Sequence, residues 1–545
     1  MISILSRKDN LFIYIFFTLY LMVGLIIYKD YGLSFDEEVH RENGFISFKY
    51  ILDFFSIRYD FNNIVPIISG EIPDIKTDWR KTYGVAFDLP MVLLEIFLNL
   101  EDTKEVYELR HLSTFLIFFT SCICFYYLLR LNFNNKFFCI LGICFLILSP
   151  RIFAQSFYNS RDIIFLSLVI FSTYFSLKAL NKDKIKYIFL AAFFASLATN
   201  TRVLGCYIPL LTIFFYFFET KHSRILIDTL KFSFLYFFFF IFILYVSWPY
   251  LWENPLINFI KAFTEFSKYP YNPYILYLGE YIKANFVPWH YFFVWFFIST
   301  PMIFSFFIIS GLFTILKKTT VNFMNLKAKN DFLLWKTKKD MNELYVLFVF
   351  LIPLALVIFL HSTLYTGWRH LYFIYPSLVF IGVKGFSAIV SAISKKKKIF
   401  IYGCVILQIA FILNFLVKSH PVQAVYFNHV SKSLITDSFF YDYWGVGNKI
   451  TLEKLIAEHA HDVPIMISAS SFTDLNKTKL IMNKKDRDKF IYLGIDEKKG
   501  DFIFTNYYYN LPPDTDSKYS IPNDYESIIK LEIGGLVVNE IYKKK

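Results

Sequence analysis

Long apolar runs alternate with short polar connections through the first 417 residues of the chain. The runs cover residues 11–28, 111–129, 137–150, 163–178, 185–198, 203–218, 228–247, 291–316, 344–361, 371–391 and 399–417. An α-helix rises about 1.5 Å per residue, so runs of this length are typical of helices that cross a bilayer core of about 30 Å. We therefore predict a polytopic α-helical membrane protein with about eleven transmembrane helices.

Lysine and arginine are concentrated in every second connection between these runs. The basic set consists of Arg7/Lys8, Arg130/Lys136, Lys178 to Lys186, Lys221/Arg224, Lys317 to Lys339 and Lys395 to Lys398. The positive-inside rule places such connections and the N-terminus in the cytoplasm. The alternate connections then face outward, and they include the long loops 29–109 and 248–290. The protein is expected in the inner (plasma) membrane.

The last part of the chain, residues 418–545, has a different pattern. Runs typical of β-strands occupy 464–470, 490–494, 501–508 and 527–542, and the last is interrupted at Gly534 and Gly535, as a hairpin would be. Residues 450–460 and 474–482 are helical in pattern. The chain is thus divided into a membrane domain, 1–417, and a small α/β domain, 418–545, on the periplasmic or extracytoplasmic side. In loop 29–109, the amphipathic stretches 38–55 and 89–100 predict helices at the membrane interface.

Composition supports this assignment. Hydrophobic residues make up 56% of the chain and aromatic residues 21%, which excludes a set of soluble domains. The net charge of +12 arises from short clusters between apolar runs, so it is interpreted as a topology signal and no nucleic-acid partner is expected. The six cysteines lie in apolar segments without zinc spacing, which indicates neither a zinc site nor an outer disulfide.

The segment after the first apolar run carries three acids and a histidine in the sequence FDEEVH, residues 35–40. Ser34 and Glu37 have the spacing of a capping box, which predicts a helix from Phe35. Acids in a first helical turn are also favoured by the helix dipole alone. On such a helix Asp36 and His40 share a face, and they could form a general base with its orienting partner or part of a metal site. Glu37 is expected to pair with Arg41.

Further polar residues are predicted to lie on the same outer side. Asp162 follows Asn159 and Arg161 at the edge of a span, where ionisable residues are costly and usually functional. Arg202 and Arg369 are single cations in outer connections, and guanidinium groups suit bidentate phosphate binding. Each arginine could also be only a lipid headgroup contact.

Together these segments resemble the GT-C fold of membrane glycosyltransferases, in particular bacterial relatives of the protein O-mannosyltransferase (family 39) and aminoarabinose transferase groups. The resemblance rests on FDEEVH at 35–40, SPRIFAQSFYNSRDI at 149–163, TRVLG at 201–205, WPYLWENP at 248–255, LGEYI at 278–282, WRHLYFIYP at 368–376, HPVQAVYFN at 420–428 and YDYWGVGNK at 441–449. The lumenal trefoil-type domain of the O-mannosyltransferases is missing, so a protein acceptor is not implied.

The resemblance implies residue roles as well as a fold. Asp36 matches the aspartate that acts as base on the acceptor. Catalytic roles are also implied for Glu37 beside it, unless Glu37 is only half of an ion pair with Arg41, and for Asp162, which lies where the fold has its second acidic motif. Binding of the lipid phosphate and donor is implied for Arg161, Arg202, Arg369 and His370. The supporting residues are His40, Asn159 and Glu280.

The expected reaction transfers a sugar from a polyprenyl-phosphate donor to a lipid, glycan or protein acceptor at the outer face of the membrane, with inversion. A divalent cation, Mg²⁺ or Mn²⁺, is an open expectation, because some members of the fold use one. Two alternatives remain: a transporter or flippase of lipid-linked sugars, and a noncatalytic subunit of envelope assembly. A transporter should place charges near mid-span or break helices there.

Overall fold

The structure is a computed structural model. It describes residues 2–545 except 62–63, 67–69, 221–225, 268, 270, 326–334, 429–431, 460–462, 496–499 and 513–516. Four of the predicted cytoplasmic residues therefore lie outside the described part of the chain: Lys221, Arg224, Lys327 and Lys329.

Helices dominate the first 418 residues, and every predicted apolar run is largely helical. They are α1 (Ile2–Ile27), α2 (Glu37–Phe54), α3 (Asp88–Phe97), α4 (Thr103–Arg130), α5 (Lys136–Ile147), α6 (Pro150–Tyr158), α7 (Asp162–Lys182), α8 (Ile185–Thr201), α9 (Tyr207–Thr220), α10 (Leu226–Ser247), α11 (Pro255–Ser267), α12 (Tyr291–Ser299), α13 (Met302–Asn325), α14 (Lys338–Phe359), α15 (Tyr375–Ala392) and α16 (Lys395–Lys418). Short 3₁₀ helices include Trp79–Thr82, Val203–Cys206, Pro249–Leu251 and Arg369–Ile374. The two stretches predicted as interfacial helices form α2 and α3.

Within the described residues, seven helices are long and apolar enough to cross a membrane, or eight if α5 and α6, bent by 66° at their junction, count as one span. The seven are α4, α7, α10, α13, α14, α16 and the continuous segment Arg369–Ala392. The predicted fold class is confirmed, but the count of eleven is not. Run 291–316, predicted as one span, is divided into α12 and α13 at Pro301, because proline disfavours a helical conformation in the residue before it.

Three of the lysine-rich connections meet at one end of the helix bundle. Asn132, after α4, donates a hydrogen bond to the Lys339 carbonyl at 2.8 Å, and Lys338 pairs with Glu219 at the end of α9. These contacts place the connections that follow α4 and α9 at the same end of the bundle as the connection that precedes α14. That the lysine-rich end faces the cytoplasm stays a prediction.

Helices α13 and α15 are in direct backbone contact. A Cβ atom on Gly311 would lie 1.8 Å from the Ile381 carbonyl oxygen, and one on Gly385 would lie 2.1 Å from the Phe307 oxygen. Small residues permit such approach in membranes, where close van der Waals packing rather than water exclusion holds helices together. No larger side chain fits between these two helices.

In the described part of the chain, the strands form two separate sheets. A hairpin, β1 (Tyr274–Tyr277) and β2 (Glu280–Lys283), lies between α11 and α12. The C-terminal region contains α17 (Lys432–Ser438), α18 (Asn448–His459), β3 (Ile465–Ala469), α19 (Leu475–Lys479), α20 (Lys484–Arg487), β4 (Phe490–Tyr492), β5 (Phe502–Thr505), β6 (Tyr525–Ile533) and β7 (Leu536–Lys544). Its sheet has the order β4-β3-β5-β7-β6, and β3 is parallel to both of its neighbours.

The C-terminal α/β region matches its sequence prediction. The antiparallel strands β6 and β7 turn at Gly534 and Gly535, with φ of 59° and 82°, a conformation that favours glycine. The predicted helix 450–460 is α18, although residue 460 lies outside the described part. A domain boundary at residue 418, where α16 ends, stays a prediction.

This C-terminal region packs against the first long loop. A Cβ atom on Gly32 would lie 2.4 Å from the Val446 carbonyl oxygen, and Lys449 donates a hydrogen bond to the Lys29 carbonyl at 3.0 Å. The region therefore lies at the end of the bundle that carries the acidic segment 35–40.

Candidate active site

Asp36 is the last residue before α2 and serves as its N-cap. Its side chain makes no capping hydrogen bond, is 26% exposed, and instead accepts a hydrogen bond from Arg369 Nη1 at 3.2 Å. The predicted helix start at Phe35 with Ser34 as cap is therefore wrong by two residues. Because its carboxylate is not used in capping, Asp36 is available to the site.

Asp162 is the first residue of α7, and its side chain is only 1% exposed. Asn159 and Asp162 cap each other: Asn159 Nδ2 donates to the carboxylate at 2.9 Å, and the Asp162 backbone N–H donates to Asn159 Oδ1 at 3.0 Å. Arg202, which follows α8, forms an ion pair with the other carboxylate oxygen. Asp162 is thus a buried anion with a fixed orientation.

Arg369 lies between the two carboxylates. Its Nη1 atom is 3.2 Å from Asp36 Oδ2 and 3.6 Å from Asp162 Oδ2. The structure thus brings together four of the residues predicted from sequence: Asp36, Asp162, Arg202 and Arg369. They come from four segments separated by up to 333 positions in the chain, and two negative charges face two positive ones.

Both arginines retain unused hydrogen-bond donors. Among the residues that the structure describes, the buried Nε atoms of Arg202 and Arg369 have no hydrogen-bond partner. A buried unsatisfied donor costs about 1–3 kcal/mol, and more when charged, so the site is suited to an anionic ligand with several acceptor oxygens.

Aromatic side chains surround the Arg369 guanidinium. Its Nη2 atom donates to the Tyr443 hydroxyl at 3.0 Å, and its Cζ atom lies 4.4 Å from the Trp444 ring centre and 5.5 Å from that of Tyr365. The string that contains Tyr443 and Trp444 contributes to the family resemblance, yet sequence reasoning assigned these two residues no role. The density of aromatics in that string was the available signal.

Arg161 belongs to a neighbouring buried cluster. Its Nη2 atom donates to the Gly84 carbonyl at 3.0 Å and lies 3.9 Å from Asp88, while its guanidinium stacks on the Tyr83 ring at 4.4 Å. Asp88 also pairs with Arg110, and burial raises the pKa of Asp88 although both arginines oppose the shift. This Asp88 cluster was missed from sequence, because no local pattern links α3 to α4 and α7.

Glu37 is buried and already has partners. One carboxylate oxygen accepts the Ser34 backbone N–H at 2.7 Å, which is one half of the predicted capping box, and the other lies 2.9 Å from His111 Nε2. The expected Glu37–Arg41 pair is wrong, since Arg41 forms its ion pair with Glu95 at 2.5 Å. Glu37 therefore fixes the start of α2 next to Asp36.

His40 is buried one turn after Asp36, with its Nδ1 atom 3.4 Å from Ser160 Oγ. Burial, reinforced by the positive charges of Arg161 and Arg110, lowers the pKa of His40 well below its ordinary value. A neutral imidazole here links α2 to the turn before α7.

His370 adjoins Arg369 in the chain, whereas Glu280 lies on the hairpin of β1 and β2. His370 follows Arg369 directly, and its ring centre lies 5.2 Å from that of Tyr365. Glu280 is exposed at the start of β2, opposite Tyr277. Among the residues described, Glu280 forms no hydrogen bond or ion pair with the four central residues.

The donor set does not fit a divalent cation. Mg²⁺ and Mn²⁺ favour several oxygen ligands, but Asp36 and Asp162 are both paired with guanidinium groups. Within the described part of the chain, no three His, Cys, Asp or Glu side chains are grouped so that they could hold a metal ion.

Residues 91–248 match the family model described as dolichyl-phosphate-mannose-protein mannosyltransferase. This stretch extends from α3 to the end of α10 and contains Asp162 and Arg202. The match confirms the resemblance to GT-C membrane glycosyltransferases that the sequence motifs indicated.

Two solved structures can be compared with the whole chain. One is ArnT from Cupriavidus metallidurans in the apo state, with 11% identity, coverage of 90% of this chain and 87% of that chain, and a TM-score of 0.49. The other is the same protein bound to undecaprenyl phosphate, with 11% identity, coverage of 88% and 85%, and a TM-score of 0.43. No curated protein matches the chain by sequence.

Proposed function

We propose that the protein is a membrane glycosyltransferase that moves a sugar from a polyprenyl-phosphate donor to an acceptor hydroxyl. The observation that carries this proposal is the bridge from Arg369 to Asp36 and Asp162, beside the buried unpartnered donors of Arg202 and Arg369. The family matched by residues 91–248 is described by a dolichyl-phosphate sugar, which is a polyprenyl-phosphate donor.

Asp36 is the better candidate for the base that takes the acceptor's proton. It is 26% exposed and has one strong partner, whereas Asp162 is 1% exposed and bonded to Arg202 and Asn159. Asp162 is then a positioning residue that orients both arginines.

Arg369 and Arg202 bind the donor phosphate. The donor phosphate is a diester with two non-bridging acceptor oxygens, one for the Nε donor of each residue. It also competes with Asp36 for the Arg369 guanidinium. Donor binding therefore frees the Asp36 carboxylate at the moment when it is needed.

The reaction is a single displacement. The acceptor oxygen attacks the anomeric carbon as its proton passes to Asp36, and the bond from that carbon to the phosphate oxygen breaks. Polyprenyl phosphate leaves with the electron pair, and the two arginines stabilise its negative charge. One displacement inverts the anomeric centre, and no step uses a metal ion.

The test is mass spectrometry of the purified protein in nanodiscs with a total lipid extract of the source cells. Wild type should consume one polyprenyl-phosphate sugar and release polyprenyl phosphate, while Asp36→Asn should not. Asp53→Asn is the matched control, because Asp53 is exposed near the end of the same helix. If Asp36→Asn turns over the donor like wild type, the assignment of the base is wrong. If wild type also leaves every donor unchanged when lipid, glycan and protein extracts are supplied as acceptors, a transport or assembly role replaces the enzyme.

A further inference from the structure

The C-terminal region contributes side chains to the site just described. Tyr443 and Trp444, on the turn between α17 and α18, contact Arg369 through a hydrogen bond of 3.0 Å and a cation–π contact of 4.4 Å. Both are buried or nearly so. No other hydrogen bond links the C-terminal region to the four central residues among those the structure describes.

The turn is built to hold these two side chains in place. Asp442 accepts hydrogen bonds from the backbone N–H groups of Val446 at 3.3 Å and Gly447 at 3.1 Å. Gly445 has φ of 67°, and a Cβ atom there would lie 2.8 Å from the Asn448 side chain. A closed turn of this kind lowers the conformational freedom of Tyr443 and Trp444 before any ligand arrives.

The turn is also anchored on both sides. The Tyr443 ring packs edge-on against Tyr508 of the C-terminal region at 5.1 Å, and Trp444 lies 6.3 Å from Tyr158 at the end of α6. Because each of the two rings packs against a neighbouring aromatic side chain, both can hold the guanidinium of Arg369 in position.

We propose that Tyr443 and Trp444 are positioning residues for Arg369, so that the C-terminal region completes the phosphate-binding site of the membrane region. This proposal rests on the proposed function. Arg369 Nη2 donates to the Tyr443 hydroxyl, and the Trp444 ring lies over the guanidinium. This leaves Nη1 to bind the Asp36 carboxylate and leaves Nε without a partner among the described residues. The C-terminal region thus acts on the donor side of the reaction.

The experiment measures binding of undecaprenyl phosphate to the full-length protein in nanodiscs, with undecaprenol as the probe that lacks the phosphate. Hydrogen bonds to charged groups contribute more than neutral ones, so Tyr443→Phe should weaken undecaprenyl phosphate binding about tenfold and leave undecaprenol binding unchanged. Trp444→Leu should also weaken only the phosphate-bearing probe.

Tyr441→Phe is the matched control. Its hydroxyl donates to the Val537 carbonyl at 2.8 Å, inside the C-terminal region, so this variant loses one tyrosine hydrogen bond from the same turn without touching Arg369. It should bind undecaprenyl phosphate like wild type. An equal loss in Tyr441→Phe would show that only the integrity of the turn matters, and would overturn the proposal.

A double-mutant cycle separates positioning from general structure. In an Arg369→Lys background, Tyr443→Phe should change affinity less than twofold, because the planar donor that it holds is absent. The positioning role is wrong if Tyr443→Phe still weakens binding tenfold in the Arg369→Lys background, or if it has no effect in the wild-type background. Neither outcome affects the transferase proposal. If wild type fails to bind undecaprenyl phosphate but binds undecaprenol, the proposed donor class itself fails.

Discussion

Arg369 Nη1 lies 3.2 Å from the Asp36 carboxylate, so the proposed phosphate-binding group and the proposed base are paired with each other. Such a pair keeps two costly charges compensated at a membrane edge. It also makes the two steps of the reaction, donor binding and proton transfer, dependent on each other.

Asp36→Asn should separate these two steps. Loss of a general base lowers turnover by about 10²–10⁴-fold. Because Arg369 also loses a competing anion, affinity for undecaprenyl phosphate should rise, by roughly 3–10-fold. Turnover by mass spectrometry and equilibrium binding in nanodiscs give the two values. A parallel fall in both would indicate that Asp36 supports the fold or the donor rather than the acceptor.

Asp162→Asn should destabilise the protein. The substitution leaves two guanidinium groups without their buried carboxylate, and breaking such a pair costs about 3–5 kcal/mol. The unfolding temperature in detergent should fall, and adding Arg202→Gln should recover part of the loss by removing one unpaired charge. An unchanged unfolding temperature in the single variant would contradict this account.

Gly84→Ala should displace the first long loop from α8. A Cβ atom on Gly84 would lie 1.1 Å from the Asn200 carbonyl oxygen, so the backbone must move, at a cost of about 1–3 kcal/mol. We expect a lower unfolding temperature together with lower turnover, because Arg161 and Asn200 both bind this loop. Gly403→Ala is the control, since a Cβ atom there meets nothing within 4 Å.

Asp442 should make stability depend on pH. Burial raises the pKa of Asp442 to about 6 from an ordinary 3.8, against the opposing effect of its backbone hydrogen bonds. Its contribution to stability is therefore full below pH 3.8 and is lost as the pH rises through about 6. Between these two limits, the contribution of Asp442 to the free energy of unfolding falls by about 3 kcal/mol.

The measurement for Asp442 compares wild type with Asp442→Asn, whose amide oxygen can still accept one of the two backbone hydrogen bonds. Unfolding temperatures are recorded between pH 4 and pH 7.5. The stability of Asp442→Asn relative to wild type should increase across this range. A constant difference between the two proteins would refute the burial of a neutral carboxyl group here.

Chelation of divalent cations should leave turnover unchanged. Asp36 and Asp162 are each balanced by guanidinium groups, which supply the positive charge that a metal ion supplies elsewhere. Turnover is measured after EDTA treatment and again after addition of Mg²⁺ or Mn²⁺. Loss of turnover with EDTA and its recovery with Mn²⁺ would mean that the arginine pairs open to admit a cation.

The sequence predicted the secondary-structure elements better than it predicted which side chains pair in the site. Apolar runs specify helices locally, and Gly534 with Gly535 specifies a turn, so both were predicted correctly. Asp36, Asp162, Arg202 and Arg369 could be assigned to one end of the bundle because charge alternation fixes which helix ends lie together. Their pairing could not be predicted, because any of several arginines could reach either carboxylate.

Two further differences between the expected and the observed contacts have physical causes of the same kind. Arg161 was grouped with the phosphate-binding arginines from its position beside Asp162, yet it turns toward Asp88 on α3. Arg41 was matched with Glu37 at helical spacing, but a buried partner, Glu95, binds it more closely. In both cases the arginine lies against a buried acid that is distant in sequence rather than against an acid close to it in the chain.

The backbone contact between α13 and α15 at Gly311 and Gly385 has a consequence for turnover. Arg369 begins the continuous segment Arg369–Ala392 that contains α15, so the cation is attached to two helices locked together without intervening side chains. The proposed lipid donor must therefore move to a stationary charge. In the proposed cycle, loading and release then depend on how the lipid tail moves through the surrounding bilayer, so changes in acyl-chain length or membrane fluidity should change the turnover rate.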